Sequence, residues 1–289
     1  FPVSAPFLPN GAGFAIMGHS DFFDLTGNGA SNMPQEQHRA TSRVLDLLEL
    51  FSGADGTGYT LTELSQALDI PKSSLFPILH TLEQRRYVLW DKRSGQYSIG
   101  VSAYVLGASF PAQRGLVALR HVMQEVVDRC QETCQLGVLD QGSILYLEKV
   151  DSPQAIRLIS RVGDRLPANA TALGKALLSG LSDDEVQTLW TAGLPRLTSH
   201  TVTELPQLLT QLAQIRRTGI AFEREECAQQ LACWAVPLRR QGRVFAALSV
   251  SVPLFRCTEE KEALVCRCLL EARDEAEQLA ESRGFSLLE

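Results

Sequence analysis

Two serines stand two apart, Ser249 and Ser251, in the otherwise apolar run ALSVSVP (Ala247–Pro253). Residues two apart on a strand face the same way. Both hydroxyls can therefore reach one polar ligand, or both can bond neighbouring groups and line nothing. Upstream, GDRLPANATALGKALL (163–178) feeds an alanine-rich helix from a loop whose last residues are small. The N–H groups around Thr171 to Gly174 are unpaired at such a helix start and attract a carboxylate or a phosphate. Glu223 lies in an acidic cluster with Glu225 and Glu226, whose default place is the surface. Cys233 reads as a small buried hydrophobe rather than a reactive thiol. A second set of candidates is suited to nucleic acid. Lys92 and Arg93 fall at the tip of a turn, and Ser73, Pro77, His80 and Gln84 form a small outer stripe, with Lys72, Ser74 and Phe76 near its start.

The elements around the second set are legible. Thr60 and Glu63 make a capping box, with Tyr59 and Leu64 spaced as a hydrophobic staple. Leu61, Leu64, Ala67 and Leu68 then line one face of a short helix. Asp69-Ile70-Pro71 ends it, and Pro71 suits the opening of the next helix, whose inner face carries Leu75, Ile78, Leu79 and Leu82. Two short helices joined by a tight turn read as helix-turn-helix or as any helical hairpin of a core. An earlier helix over 39–51 and a following hairpin, YVLWDKRSGQYSIG (87–100), decide between the two. Three helices and a basic-tipped hairpin are the winged helix-turn-helix order, which points to DNA.

Farther along, 101–113 reads as a short helix ending near Pro111, and 116–134 as a longer one. Strands are expected at 136–139, 144–150 and 155–162. Ser182 and Glu185 cap a further helix, and the helix 205–218 ends at Gly219. Strands at 220–225, 232–238 and 244–252 and a closing helix over 258–282 complete an α+β half. Residues 1–32 are rich in Gly, Asn, Ser and Pro and read as a tail or extension, with Met33 a sensible start.

Composition bounds the function. At 289 residues, 45% hydrophobic and 21% charged, the chain is globular and long enough for two cores. No apolar run has membrane-spanning length and no secretory signal is visible, so a cytoplasmic place is expected. Seven cysteines without framework spacing read as reduced thiols. A net charge of −6 argues against a non-specific nucleic-acid coat. Between Met33 and Gln113 seven cations meet eight carboxylates, but four of the seven lie between Arg85 and Arg93. That local charge suits a site-specific binder. There is no GxxxxGK[ST], no HExxH and no nucleophile elbow. The cysteine pairs 130/134 and 266/268 lack zinc spacing, so neither metal, cofactor nor catalysis is expected.

From about Arg39 onward the chain resembles the IclR family (isocitrate lyase regulator type) of bacterial transcriptional regulators. The resemblance rests on LTELSQALDIPKSS (61–74), GDRLPANATALGKALL, FEREECAQQLACWAVPL (222–238) and ALSVSVP, in this order and at these intervals. It implies a winged helix-turn-helix over 39–100 after a tail over 1–38, a linker helix over 101–115, and a GAF-like effector domain over 116–289. It also implies homodimers that commonly pair into tetramers. By residue matching, the amides of Ala172 and Leu173 would meet a small organic acid, while Glu223, Cys233, Ser249 and Ser251 would line its pocket. Glu223 would accept from an effector hydroxyl or amine, or stay protonated beside an acid, and Cys233 would pack against the ligand. Lys72, Ser73, Ser74, Phe76, Pro77, His80, Lys92 and Arg93 are the candidate DNA contacts. Two positions depart from the family pattern: Pro77 replaces the usual arginine of the recognition helix, and Asn169 stands where histidine is common. The expected protein is an effector-controlled transcription factor bound to an operator. The rival is a metabolite-binding module or small-molecule enzyme whose winged helix serves protein contacts.

Overall fold

The computed structural model describes residues 38–52, 58–110, 113–158, 160–190, 192–285 and 287. The expected tail apart from His38, residues 53–57 after the first helix, and Pro111 lie outside the described residues.

Helix α1 (Arg39–Ser52) buries Leu47 and Phe51. A two-residue strand, β1 (Tyr59–Thr60), leads into α2 (Leu61–Ala67), and Thr60 and Glu63 form the expected capping box. Asp69 takes a φ of 49° in the tight turn to α3 (Lys72–Gln84). Leu75, Leu79 and Leu82 of α3 join Leu47, Phe51, Leu64 and Val88 in one core. Each fully buried leucine contributes about 1.5–3 kcal/mol, so these contacts fix how α3 sits on α2. The hairpin is β2 (Val88–Asp91) with β3 (Gln96–Ile99), and β1 pairs with the other edge of β3, Tyr59 opposite Tyr97. Two residues are too few for alternation, which is why β1 is not readable in the sequence. Helix α4 (Val101–Ala108) follows with no buried residue.

The second half is a six-stranded antiparallel sheet with helices on both faces. Its strands are β4 (Thr133–Asp140), β5 (Ser143–Val150), β6 (Arg165–Pro167), β7 (Ala221–Arg224), β8 (Leu231–Arg240) and β9 (Arg243–Pro253), in the spatial order β6-β5-β4-β9-β8-β7. The central hairpins turn on Gln141-Gly142 (φ 48° and 81°) and Gln241-Gly242 (φ 50° and 79°). Two consecutive positive φ angles are the turn whose twist matches that of the flanking strands. Strand alternation then divides the sheet's side chains. Cys134, Leu136, Val138, Trp234, Leu248 and Val250 pack with α5 (Gln113–Cys130) and α9 (Glu259–Arg283). Leu231, Cys233, Ala235 and Ala247 pack toward α6 (Ala172–Leu178), α7 (Asp183–Thr188) and α8 (Leu205–Thr218).

The strand expected over 155–162 does not form: its described residues carry no strand pairing. The start of β5 is already taken by β6. The Ile156 carbonyl accepts from Arg256 Nη2 at 2.9 Å rather than from a ladder amide, and Ile156 remains 65% exposed. Arg256 is itself held by the buried Glu132, through bonds of 2.8 and 2.7 Å. Alternation without a free edge makes a loop. Among the described residues no helix is long and apolar enough to cross a membrane.

Candidate functional site

Cross-strand register assembles the site. Thr133 lies opposite Ser251, Ser251 opposite Cys233, and Cys233 opposite Glu223, so one polar row crosses four strands on the α6 side of the sheet. In the next row Gln135 lies opposite Ser249. The six residues expected at an effector site (Ala172, Leu173, Glu223, Cys233, Ser249 and Ser251) all line one narrow cavity with about 10 Å³ of free volume, joined by Tyr146, Leu158, Thr171, Cys227 and Leu231.

Helix α6 brings its first turn to that cavity. Thr171 Oγ1 accepts from Gly174 N at 2.9 Å, leaving the Ala172 and Leu173 amides as the donors the helix start can offer. Gly174 is required here, since a Cβ would lie 2.2 Å from the Ala168 carbonyl oxygen in the short 3₁₀ turn Ala168–Ala170. The helix is only seven residues long, so two directed N–H groups matter more than any dipole.

Glu223, whose default place was the surface, is 1% exposed. Its Oε2 accepts from the amides of Glu226 (2.8 Å) and Cys227 (3.3 Å), while Oε1 has no partner among the described residues. Burial pushes this carboxyl up to about 7, against the lowering pull of the two amides. Burial likewise holds the Cys227, Cys233 and Tyr146 protons well above their ordinary values, so the thiols meet the cavity as neutral groups. Both serines donate to Gln135 Oε1 at 3.2 Å, and the Cys233 thiol donates to Ser251 Oγ at 3.3 Å. The hydroxyls therefore bond a side chain, not the neighbouring backbone.

Three residues that sequence reasoning did not assign to the site support this arrangement, as does Asn169. Gln135 is fully buried, but a strand read from Leu136 leaves it off the sheet. Lys175, also fully buried, pairs with Glu226 at 2.5 Å. Glu226 additionally accepts from Val202 N at 3.1 Å. The Asn169 amide donates to the carbonyls of Pro195 (2.9 Å) and Val202 (3.0 Å), which gives the departure from histidine a structural task. Together these bonds tie α6 and the 195–202 segment to the β7–β8 turn. A second cleft of about 270 Å³ opens beside α7 around Trp190, Leu194 and Leu205, with no charged residue among its described lining. It is larger than the first cavity but offers less chemistry.

The other candidate set is on the surface. Lys72, Ser73, Phe76, Pro77 and His80 are exposed along α3, and Ser74 is half-buried. Phe76 stacks on His80, their rings 6.4 Å apart and within 3° of parallel. Lys72 Nζ donates to Thr62 Oγ1 at 2.8 Å. Lys92 and Arg93 are exposed at the hairpin tip. There the Asp91 carboxylate accepts from Arg93 N (2.9 Å) and Ser94 Oγ (2.8 Å), which holds its own pKa below the usual range.

Comparison with known proteins agrees with both halves. Residues 40–92 match the IclR helix-turn-helix domain, and residues 116–280 match the bacterial transcriptional regulator IclR C-terminal family. The chain is 38% identical over 204 residues to the HTH-type transcriptional regulator KdgR of Escherichia coli, covering 70% of this chain and 78% of that one. An IclR transcriptional regulator from Alicyclobacillus acidocaldarius shares the fold with a TM-score of 0.74 at 22% identity, over 84% of this chain and 98% of that one. An IclR homolog from Microbacterium hydrocarbonoxydans, solved with 4-hydroxybenzoate, has a TM-score of 0.70 at 27% identity, over 83% and 98%. The matched families are regulators, not enzymes, which does not favour the rival reading of the winged helix as a protein-contact module. A helix-turn-helix half with a basic-tipped hairpin and an α+β half with an internal polar cavity thus join the family matches, and the chain belongs to the IclR family of DNA-binding, effector-responsive transcriptional regulators.

Proposed function

We propose that this regulator is a cytoplasmic homodimer, able to pair into a tetramer, that represses from an operator and answers to a small organic or sugar acid. The exposed face of α3, with Lys72, Ser73, Ser74, Phe76, Pro77 and His80, enters the major groove. Lys92 and Arg93 reach phosphates or the adjoining minor groove. The acid sits in this narrow cavity, whose lining side chains move apart to admit it. Its carboxylate takes the Ala172 and Leu173 amides, and its other oxygens meet Glu223, Ser249 and Ser251, with Cys233 packed against it. Binding shifts the populations of the dimer's DNA-binding geometries. The observation that carries this reading is the convergence of two helix-start amides, two serines and a buried carboxyl on one narrow cavity. The 4-hydroxybenzoate held by one structural relative, a carboxylate with a hydroxyl, is of the same chemical kind.

A melting screen over small organic and sugar acids, followed by calorimetry, tests the site. In the Ser249→Ala/Ser251→Ala double variant two ligand contacts are lost, each worth about 0.5–1.5 kcal/mol. Affinity for the best acid falls about five- to a hundredfold, while operator binding without effector is kept. Wild-type affinity in the double variant puts the effector elsewhere, and loss of ligand-free operator binding makes the serines supports of the fold.

A further inference from the structure

Gln135 does not touch the cavity, yet it decides what two of the lining atoms can do. It lies fully buried on β4, opposite Ser249 in the register. Its Oε1 is 3.2 Å from both Ser249 Oγ and Ser251 Oγ, and its Nε2 donates to Ser160 Oγ at 3.4 Å. A hydroxyl has one hydrogen to give and two lone pairs to offer, and a carboxamide oxygen accepts twice. Both serine hydrogens are therefore spent on one buried oxygen. Ser251 also receives the Cys233 thiol, so its remaining capacity is a single lone pair. Ser249 has two.

We infer that Gln135, by claiming both hydroxyl hydrogens, turns the serine end of the cavity into an acceptor and selects an alcohol-bearing acid over its oxo counterpart. This rests on the effector reading of the cavity given above and adds the class of ligand. An alcohol donates its hydrogen to Ser249 Oγ and leaves the network whole. A ketone or aldehyde at the same place brings only lone pairs. It either faces lone pairs or draws a serine hydrogen away, which strips a buried acceptor of its donor. Glu223 has more latitude, since its unpartnered Oε1 accepts when ionised and belongs to a donor when protonated. The serines have no such choice while Gln135 holds them. The reverse orientation of the Gln135 amide would put Nε2 against both hydroxyls, free their hydrogens for the ligand and invert the preference.

The test uses the full chain and matched pairs whose oxo member stays a free ketone in water: lactate with pyruvate, 2-hydroxybutyrate with 2-oxobutyrate. Calorimetry on the wild type is expected to favour the hydroxy member of each binding pair by about tenfold or more. Gln135→Met keeps the volume and removes the acceptor, so the oxo acid gains and the ratio collapses toward unity. Should that variant melt far below the wild type, Ser249→Ala serves instead, lowering affinity for the hydroxy acid while leaving the oxo acid little changed. Equal binding of both members, oxo preference, or a ratio untouched in a folded Gln135→Met overturns the inference and leaves the cavity reading standing. If no member of any pair binds the wild type, the cavity reading itself fails and the inference falls with it.

Discussion

Glu223 concentrates the chemistry of the effector half in one carboxyl. Burial raises it from 4.5 to about 7, and its surroundings are the Cys233 and Cys227 thiols, Tyr146 and the neighbouring Glu226. Because the folded value lies above the unfolded one, the folded chain holds this proton more tightly. The stability so conferred is whole below about pH 4.5 and lost as pH rises through 7, a span of about 3 kcal/mol. Glu223→Gln keeps an oxygen for the two amides and cannot ionise. Its stability relative to wild type is expected to improve by up to that amount between pH 5 and 8, read from denaturant melts. Parallel profiles for the two proteins would put the pH response in another group. Residues at this scale were unevenly legible. The pairing of Ser249 with Ser251 is visible from spacing alone, because period two survives any tertiary context. The depth of Glu223 is not, because it depends on Cys233 lying opposite it, a register that no local pattern encodes. Gln135, Lys175 and Glu226 were hidden for the same reason: each is a polar residue whose burial is offset by a partner distant in sequence.

Among the elements, those with a local chemical cause were readable and those defined by a partner were not. The capping boxes at Thr60 and Ser182 and the αL glycine at 219 occur as expected, since each is made by residues within a few positions of one another. The run 155–162 alternates like a strand, yet its Ile156 carbonyl goes to Arg256, about a hundred residues away. Helix α3 combines both kinds of signal. Pro77 lies inside it and cannot donate to the Ser73 carbonyl, and the Thr81 hydroxyl donates back to the Pro77 carbonyl at 2.9 Å. Pro77→Arg restores the amide and is expected to stabilise the helix by about 1–3 kcal/mol. On the proposed docking it also exchanges apolar contact from Phe76 and Pro77 for polar readout, so selection from random DNA returns a different consensus. An identical consensus would remove position 77 from the interface. On the same proposed docking the wing contributes separately. Replacing Lys92 and Arg93 by Ala removes up to two phosphate contacts, and the slope of log affinity against log salt flattens by about one to two, similarly for all sequences. An unchanged slope would take the wing off the DNA.

At the scale of the whole molecule one element lacks a core. Helix α4 is apolar on every side, yet Val101, Tyr104, Val105 and Leu106 are 54–77% exposed. Leu89, Ile99 and Phe110 add exposed apolar surface from neighbouring segments. A helix that is hydrophobic all round is ordinarily buried, and large exposed apolar side chains in such number mark an interface. In the proposed homodimer a second copy of the chain covers this surface with the same patch on both sides. It also places two recognition helices on one DNA, so the second half-site binds at an effective concentration set by the dimer. Val105→Glu places a carboxylate in the middle of the patch without touching the cores of either half. Sedimentation is expected to show the monomer at concentrations where the wild type is paired. Operator affinity falls about a hundredfold or more as the two half-sites are uncoupled, while the proposed acid binding in the β4–β9 cavity persists because that site is built within one chain. A Val105→Glu protein that still sediments as a dimer would move the interface away from α4. A monomer that keeps wild-type operator affinity would mean that one copy suffices to read the site.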